Sequence, residues 1–233
     1  MSSTSVAAIP GKITARTATV HIDPVCNAFL GDCFRQFGIS IVPLDGDPVA
    51  VFHRQKFEAC VIRLYDPDAD RILKSARNSP SNRRMVLYGI ARNTAEALRY
   101  SNYGINAVLD EPLDRQSVLK IVRATHLLVI HELRRYVRIP VVSQAEIEMD
   151  SRANAKVTTV EVSSGGMSVR SVTPLPKDSV RLLLSLPGLD KVSVRASVCW
   201  YRESDKVYGL RFDSSDERRL KVRAWIDQYL EIV

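Results

Sequence analysis

Residues 192–198 read Val-Ser-Val-Arg-Ala-Ser-Val, with an apolar side chain at every second position. Such alternation is typical of a β-strand that has one face in a core and the other in solvent. The same period of two appears at residues 157–162 and 180–185, and Gly165-Gly166 and Pro187-Gly188 are suited to the turns between strands. The C-terminal half of the chain is therefore expected to form an antiparallel β-barrel or sandwich.

Helical spacing returns at the end of the chain. Leu220 and Ala224 are four residues apart, and Leu230 continues the apolar pattern toward residue 232. We expect a helix over residues 215–232, with Ser214 or Ser215 as its N-cap.

The first half shows a different pattern, in which short apolar runs alternate five times with amphipathic segments. The predicted strands are residues 18–23, 39–44, 59–64, 85–88 and 105–109, and helices are predicted to begin near Pro24, Pro48, Asp68, Asn93 and Asp114. The third run is apolar except for Arg63, as expected of a strand that is covered on both faces. Strands that alternate with helices imply a parallel sheet with helices on both sides.

Composition narrows the class of protein. A chain of 233 residues with 45% hydrophobic and 25% charged residues suits one large or two small globular domains. The apolar run at residues 127–130 is far too short to span a bilayer, and residues 1–10 do not resemble a signal peptide, so a cytoplasmic protein is expected. The net charge of +7 is spread over both halves, which disfavours a nucleic-acid partner because its footprint should concentrate on one face.

Residue types with potential chemistry form no catalytic or metal-binding pattern. The four cysteines include no C-x-x-C pair and are expected to be buried reduced thiols, and the four histidines show no metal-ligand spacing. No nucleophile–base pair and no phosphate-binding G-x-x-x-x-G-K loop is present. We therefore expect neither an enzyme, nor a metal site, nor a cofactor.

The strand and helix order over residues 16–130 resembles the receiver domain of two-component response regulators. That family has magnesium-binding acidic residues after its first strand, a phosphoacceptor aspartate at the end of the third, Ser or Thr at the end of the fourth, and Lys-Pro after the fifth. Here the corresponding positions hold Asp23 as the single acid, Arg63, Gly89 and Glu111. An arginine cannot accept a phosphoryl group, so the resemblance implies a pseudo-receiver domain.

Two of these replacements carry opposite charges. We expect Arg63 and Glu111 to lie close enough for an ion pair that takes the place of the lost site. Asp66 follows the third strand, but its position beyond the strand end argues against it as a substitute phosphoacceptor.

Two further motifs lie at the start of the predicted barrel. Arg134-Arg135-Tyr136-Val137-Arg138 has the spacing R-x-x-x-R from Arg134 to Arg138, with Arg135 as an additional cation. Glu161-Val162-Ser163-Ser164-Gly165-Gly166 follows on a predicted strand. Together they resemble the PilZ family, whose signatures are R-x-x-x-R followed by [DN]-x-S-x-x-G. The resemblance covers residues 131–233, and Val198-Cys199-Trp200 and Gly209-Leu210-Arg211-Phe212 also match residues that the family carries.

The resemblance to PilZ domains implies a receptor for cyclic di-GMP. Arginine can grip phosphate bidentately, read guanine O6 and N7, and stack on a purine. The resemblance assigns ligand contacts to Arg134, Arg135 and Arg138, and to three residues on the barrel. The barrel residues are Glu161, Ser163 and Gly166.

Glu161 departs from the family motif, which has Asp or Asn at this position. The carboxylate can still accept from guanine N1 and N2, but the extra methylene moves it by about one bond length. Ser163 adds a hydroxyl, and Gly166 allows a tight turn and a close approach of the backbone.

Several alternatives remain open at the level of the sequence. The arginines also fit the solvated end of a helix, where cations are favourable in any protein. Trp200 is expected in the core, because a tryptophan in an alternating strand usually packs inward. The protein is either a cyclic di-GMP receptor, in which binding sets domain orientation and partner interaction, or a PilZ-like scaffold that does not bind nucleotide. One nucleotide or a stacked pair, an unknown protein partner that binds through the pseudo-receiver domain, and a homodimer all remain open.

Overall fold

A computed structural model describes residues 13–148, 154–176 and 179–230. The chain divides into two compact units, one of them Thr14–Leu133 and the other containing Arg134–Val233. The helices are α1 (Pro24–Arg35), α2 (Pro48–Arg54), α3 (Ala69–Asn78), α4 (Thr94–Arg99), α5 (Arg115–Tyr136) and α6 (Arg219–Tyr229). The strands are β1 (Ala15–Val20), β2 (Ile39–Pro43), β3 (Ala59–Arg63), β4 (Val86–Ala91), β5 (Ala107–Asp110), β6 (Ile139–Pro140), β7 (Gln144–Glu148), β8 (Asn154–Ser163), β9 (Gly166–Arg170), β10 (Ser179–Leu186), β11 (Leu189–Arg202) and β12 (Val207–Phe212).

The first unit contains a five-stranded parallel sheet in the order β2-β1-β3-β4-β5. This is the doubly-wound order 2-1-3-4-5 that CheY-type receiver domains share with flavodoxin. All six residues of β4 and the first four of β3 are buried, whereas the edge strand β2 is mostly half-exposed. The continuous apolar runs of the sequence therefore mark the central strands, and the predicted α/β fold class is confirmed.

Aspartate N-caps set the starts of α1 and α5, the helices that follow β1 and β5. The Asp23 side chain accepts from the Cys26 backbone N–H at 2.9 Å, and Pro24 occupies the first turn of α1. Asp114 likewise accepts from the Ser117 N–H at 2.8 Å at the start of α5. An N-cap acceptor satisfies backbone donors that the helix itself leaves without partners, which explains why both helices start where they do.

The second unit is a closed antiparallel barrel. Strands follow one another in the order β8-β7-β10-β11-β12-β9, and the pairing of β9 with β8 closes the ring. The short β6 also pairs with β8. Inward-facing residues such as Val157, Leu182 and Val194 are almost completely buried. The predicted barrel is confirmed, and full closure leaves it without a free sheet edge at these strands.

The C-terminal helix begins later than the sequence predicted. Helix α6 starts at Arg219, and no side-chain cap hydrogen bond is present at its N-terminus, so the predicted cap by Ser214 or Ser215 is wrong. Ser215 bonds to the carboxylate of Asp213 instead, and Asp216 turns the chain into the helix. Residues 231 and 232 of the predicted helix lie outside the described residues. None of the helices in the described ranges combines the length and apolarity needed to cross a membrane.

Candidate functional site

The carboxyl end of the parallel sheet is occupied by Arg63, the last residue of β3. Its Nη2 donates to Asp23 Oδ2 at 2.6 Å, and its Nη1 donates to the His21 carbonyl at 3.2 Å. The Cys26 backbone N–H, and then the Arg63 guanidinium, lower the pKa of Asp23 to about 2. The one acid expected in a receiver-type metal site is therefore already engaged by the protein's own cation.

Glu111 is a secondary partner of this arginine. The distance from Arg63 Nε to Glu111 Oε1 is 3.9 Å, which is an ion-pair contact but too long for a hydrogen bond. Asp66 lies on the other side and contacts His21 Nδ1 at 2.8 Å. In the described part of the chain, no group of three or more His, Cys, Asp or Glu side chains could hold a metal ion.

The fourth strand extends further than the sequence predicted. Strand β4 continues to Ala91, and the register pairs Arg63 with Ile90 rather than with Gly89. A Cβ added at Gly89 would collide with the Leu64 side chain. Ile90, and not Gly89, therefore lies beside Arg63 at the phosphoacceptor position. Neither Gly89 nor Ile90 has a hydroxyl, so the pseudo-receiver interpretation is unchanged.

A second candidate site lies on the outer surface of the barrel. A cleft of about 380 Å³ runs over strands β8, β9, β12 and β11 and is bordered by the chain that follows α5. This volume is within the range of small-molecule sites. Its lining residues are Arg135, Arg138, Glu161, Ser163, Ser164, Gly165, Gly166, Met167, Ser168, Cys199, Trp200, Gly209, Leu210 and Arg211.

The three motif arginines do not occupy equivalent places. Arg135, in the last turn of α5, and Arg138, just beyond it, both line the cleft. Arg134 is not among the lining residues, and its Nε lies 2.7 Å from Asp227 Oδ1 of α6. Both side chains of that pair are about four-fifths buried, with exposed fractions of 20% and 22%. Arg135 and Arg138 therefore both lie at the cleft, whereas Arg134 contacts α6 from the end of α5.

Glu161 reaches the cleft because of a β-bulge. The odd-numbered residues 155, 157 and 159 of β8 are buried, and strict alternation would place Glu161 on that inner face. The register against β9 shifts between Thr159 and Glu161, which leaves Val160 as the extra residue. A bulge reverses the faces of the residues that follow it. Glu161 therefore turns outward, where its Oε1 lies 4.0 Å from Arg138 Nε.

Trp200 reaches the cleft in the same way, and the prediction that it packs in the core is wrong. The register of β11 against β12 shifts between Val198 and Trp200, so Cys199 is the extra residue. Trp200 is 46% exposed, and Cys199 is exposed as well. Both corrections follow from one bulge, which a period of two in the sequence cannot reveal.

The other cysteines agree better with the prediction. Cys33 and Cys60 are buried, and Cys26 is partly buried. All four cysteines of the chain are free thiols. The expectation of buried reduced thiols is therefore wrong for Cys199 and incomplete for Cys26.

Ser163 and Gly166 form the end of the β8–β9 hairpin. The Ser163 hydroxyl donates to the Gly166 carbonyl at 2.9 Å. Gly166 is the first residue of β9, so the turn consists of Ser164 and Gly165 rather than of the two glycines. A Cβ added at Gly166 would collide with the Leu210 carbonyl oxygen, and glycine is required there because two backbones approach closely.

Sequence reasoning missed several lining residues, notably Ser168, Cys199, Gly209 and Arg211 as well as Trp200. They lie on β9, β11 and β12. Some of them match residues that the PilZ family carries, and this match was the one signal in the sequence that could have found them. Three arginines and a single carboxylate line the cleft, so its ionic surface favours an anion.

Comparison with known proteins found one family model and a set of similar solved structures. Residues 132–231 match the family model of the PilZ domain. Among solved structures, a sensor histidine kinase receiver domain from Pseudomonas aeruginosa PAO1 is 18% identical, with a TM-score of 0.42 over 49% of this chain and 98% of that chain. A chemotaxis response regulator of Vibrio cholerae is 13% identical, with a TM-score of 0.43 over 48% of this chain and 98% of that one. No curated protein matches the chain.

These similarities divide between the two units. The strand order of the first unit gives the receiver-like fold. The family match covers nearly all of the barrel, including both signature segments and the C-terminal helix. Residues 132–231 are a PilZ domain, and they follow a domain with the receiver fold in the same chain.

Proposed function

We propose that the protein is a receptor that binds cyclic di-GMP in the cleft of its PilZ domain. PilZ domains are typically receptors for this nucleotide, and PilZ and receiver domains are generally non-catalytic. The observation that supports the proposal most is the meeting of two distant motif segments at one cleft. Arg135 and Arg138 border it from one side, and Glu161 and Ser163 border it from the barrel.

The chemistry of the cleft fits this ligand. Two phosphates need cations, and the planar guanidinium groups of Arg135 and Arg138 can bind phosphate oxygens or the O6 and N7 acceptors of guanine. The Glu161 carboxylate can accept from guanine N1–H and N2–H, which adenine does not offer in the same pattern. The ligand would therefore be selected by charge and by base.

Binding at this position supports a role in signal transduction between the two domains. Arg135 and Arg138 lie within five residues of Leu133, where the first unit ends. A ligand that fixes this segment would change the population of domain orientations, provided that it binds one orientation better than the other. The pseudo-receiver domain would then present a surface to a protein partner or to a second copy of the chain. The free state of all four cysteines supports action in the cytoplasm.

Calorimetric titration with cyclic di-GMP tests the proposal, with cyclic di-AMP as the matched ligand. We expect saturable binding of cyclic di-GMP, a weaker interaction with cyclic di-AMP, and a large loss of affinity in Arg135→Ala and Arg138→Ala. Size-exclusion chromatography with and without ligand then reports changes in shape or assembly. The absence of binding heat for wild type at high ligand concentration would refute the receptor hypothesis.

One observation favours the alternative of a scaffold that does not bind nucleotide. Glu161 stands where the family motif has Asp or Asn, and its carboxylate is within ion-pair distance of Arg138. An internal pair of this kind competes with the ligand for both groups. Glu161→Asp distinguishes the two functions, because the scaffold hypothesis expects a nearly silent wild type and a large gain of affinity in the variant. The receptor hypothesis expects that wild type already binds.

A further inference from the structure

Strand β2 forms one edge of the parallel sheet, and its outer side is open. Among the described strands it pairs with β1 alone. The Leu44 N–H donates to the Thr19 carbonyl at 2.9 Å, so the even-numbered residues of this stretch direct their backbone groups toward β1. Ile39, Ile41 and Pro43 therefore direct theirs away from the sheet. Pro43 fits this position, because proline lacks the N–H that pairing on that side would need.

A groove of about 420 Å³ follows this open edge beside α1. Strand β2 contributes the half-buried Ile41, and α1 contributes Ala28, Gly31 and Arg35. The nearest atom to a Cβ added at Gly31 would be Arg35 Nη2 at 3.9 Å, which is an ordinary contact. Packing within the chain therefore does not require glycine there, although glycine inside a helix lowers stability relative to alanine. An occupant of the groove explains the small residue better than the fold itself does.

The charges around β2 indicate which occupant fits. No charged residue occurs between Arg35 and Asp45, so a copy of the same strand can approach without repulsion. Edge strands are commonly protected by charged side chains, and β2 carries none. One end of the stretch is basic at Arg35, and the other is acidic at Asp45 and Asp47. An antiparallel copy places the basic end of each chain opposite the acidic end of the other, whereas a parallel copy opposes like charges.

We propose that β2 pairs antiparallel with β2 of a second copy of this chain, about a two-fold axis at Ile41. The Ile41 backbone groups then bond to their counterparts, and the Ile39 N–H donates to the Pro43 carbonyl of the other copy. The two sheets join into one, and each Ile41 side chain extends toward the groove of the other copy. Such an interface is isologous, because the same surface serves both chains. It lies in the first unit and goes beyond the proposed function, since it does not depend on nucleotide binding.

The first test is the mass of the full chain in solution without nucleotide. Strand β2 has five residues, so the interface is small, and small interfaces are typical of weak, transient pairs. Analytical ultracentrifugation should show an average mass that rises with concentration from that of one chain toward that of two. A constant monomer mass up to the highest soluble concentration would overturn the inference.

Disulfide trapping tests the register. In Ile41→Cys, the axis brings the two new cysteines to a Cα separation of about 5.5 Å, and a disulfide needs about 4.4–6.8 Å. The matched control is Ser40→Cys, one residue away and also half-buried. Ser40 would lie opposite Val42 of the other copy and about 7–8 Å from its own counterpart, which is too far for a disulfide. Both variants carry Cys199→Ser, because Cys199 is exposed.

Mild oxidation should link Ile41→Cys into a covalent dimer and leave Ser40→Cys as single chains. Equal linking of the two variants, or no linking of Ile41→Cys, would overturn the proposed register.

Charge variants test the direction of pairing. Ile41→Lys places a cation against its own copy and should abolish the dimer, and thermal melting checks that the variant remains folded. Arg35→Glu should weaken self-association because it opposes the acidic end of the other copy, and the addition of Asp45→Arg should restore it. A dimer that survives Ile41→Lys in a folded protein, or that ignores the charge exchange, would overturn the inference. The receptor hypothesis is unaffected by that outcome, because titration with cyclic di-GMP tests it separately.

Discussion

Arg134→Ala is expected to affect the stability of the PilZ domain and not its ligand site. The R-x-x-x-R motif treats Arg134 and Arg138 as equivalent ligand residues. The geometry separates them, because Arg134 Nε lies 2.7 Å from Asp227 Oδ1 while Arg135 and Arg138 line the cleft. The three alanine substitutions remove the same chemical group and thus form a matched set.

The expected loss of stability in Arg134→Ala follows from how far the Arg134–Asp227 pair is exposed to solvent. Exposed ion pairs contribute up to about 1 kcal/mol, and removal of one partner of a fully buried pair costs about 3–5 kcal/mol. With exposed fractions of 20% and 22%, the Arg134–Asp227 pair lies between these limits, so we expect Arg134→Ala to cost about 1–3 kcal/mol. Each kcal/mol lowers the Tm of a domain of about 100 residues by about 4–8 °C.

Loss of one charge-assisted hydrogen bond to a phosphate costs about 1.5–3 kcal/mol. Arg135→Ala and Arg138→Ala should therefore weaken binding about 10- to 150-fold.

The assay combines thermal unfolding with calorimetric titration of cyclic di-GMP well below the Tm. Asp227→Ala should lower the Tm like Arg134→Ala, and the double variant should be less destabilised than the sum, because the two residues share one contact. The reasoning is refuted if Arg134→Ala weakens binding as much as Arg138→Ala while its Tm equals that of wild type.

Three further predictions concern charged side chains, namely Asp216 in the PilZ domain and the Asp23–Arg63 pair in the first unit. Arg218 and the Arg195 backbone N–H hold the pKa of Asp216 well below its usual range, so Asp216→Asn should cost about 1.5–3 kcal/mol in urea denaturation near neutral pH. This stabilisation is present above the ordinary carboxyl pKa of about 4 and is lost as the pH falls, and the variant should therefore show a flatter acid limb; an unchanged limb would contradict the assignment. Asp23, whose pKa is about 2, should likewise stabilise the first unit above about pH 4 and lose this effect as the pH falls toward 2. In Arg63→Ala the acid limb should move to higher pH in thermal melts, and a limb at the wild-type pH would argue against the pair. Incubation with acetyl phosphate and Mg²⁺ should leave the intact mass unchanged because Arg63 fills the acceptor position, whereas a gain of one phosphoryl group on an aspartate would contradict the pseudo-receiver interpretation.

The apolar period and the turn residues of the sequence were sufficient to predict a parallel α/β-fold in the first half and an antiparallel β-fold in the second. The five apolar runs of the first half mark buried parallel strands because such strands are covered on both faces, and β3 and β4 are buried as this reasoning requires. Asp23 and Asp114 fixed the starts of two helices through a local rule that needs no tertiary contact. The arginine at the phosphoacceptor position could also be predicted, since it depends only on the identity of residue 63 at a strand end.

The composition of the cleft could be predicted only in part. Five of the six predicted ligand residues line the cleft, and contact with a ligand stays a prediction: Arg135, Arg138, Glu161, Ser163 and Gly166. Trp200 was missed because its strand reads as regular alternation. An extra residue in the hydrogen-bond register reverses every face beyond it, and nothing local in the sequence marks that residue.

The sequence by itself determined the order of elements, the antiparallel β-fold of the second half and the arginine at the phosphoacceptor position, because these depend on local period and residue identity. The tertiary structure alone decided which side chains meet. Two bulges turned Glu161 and Trp200 to the same outer face, and contact with α6 drew Arg134 away from the arginines beside it. Register and the packing of α6 are set by contacts between residues far apart in the chain, and those contacts exist only once the barrel has closed.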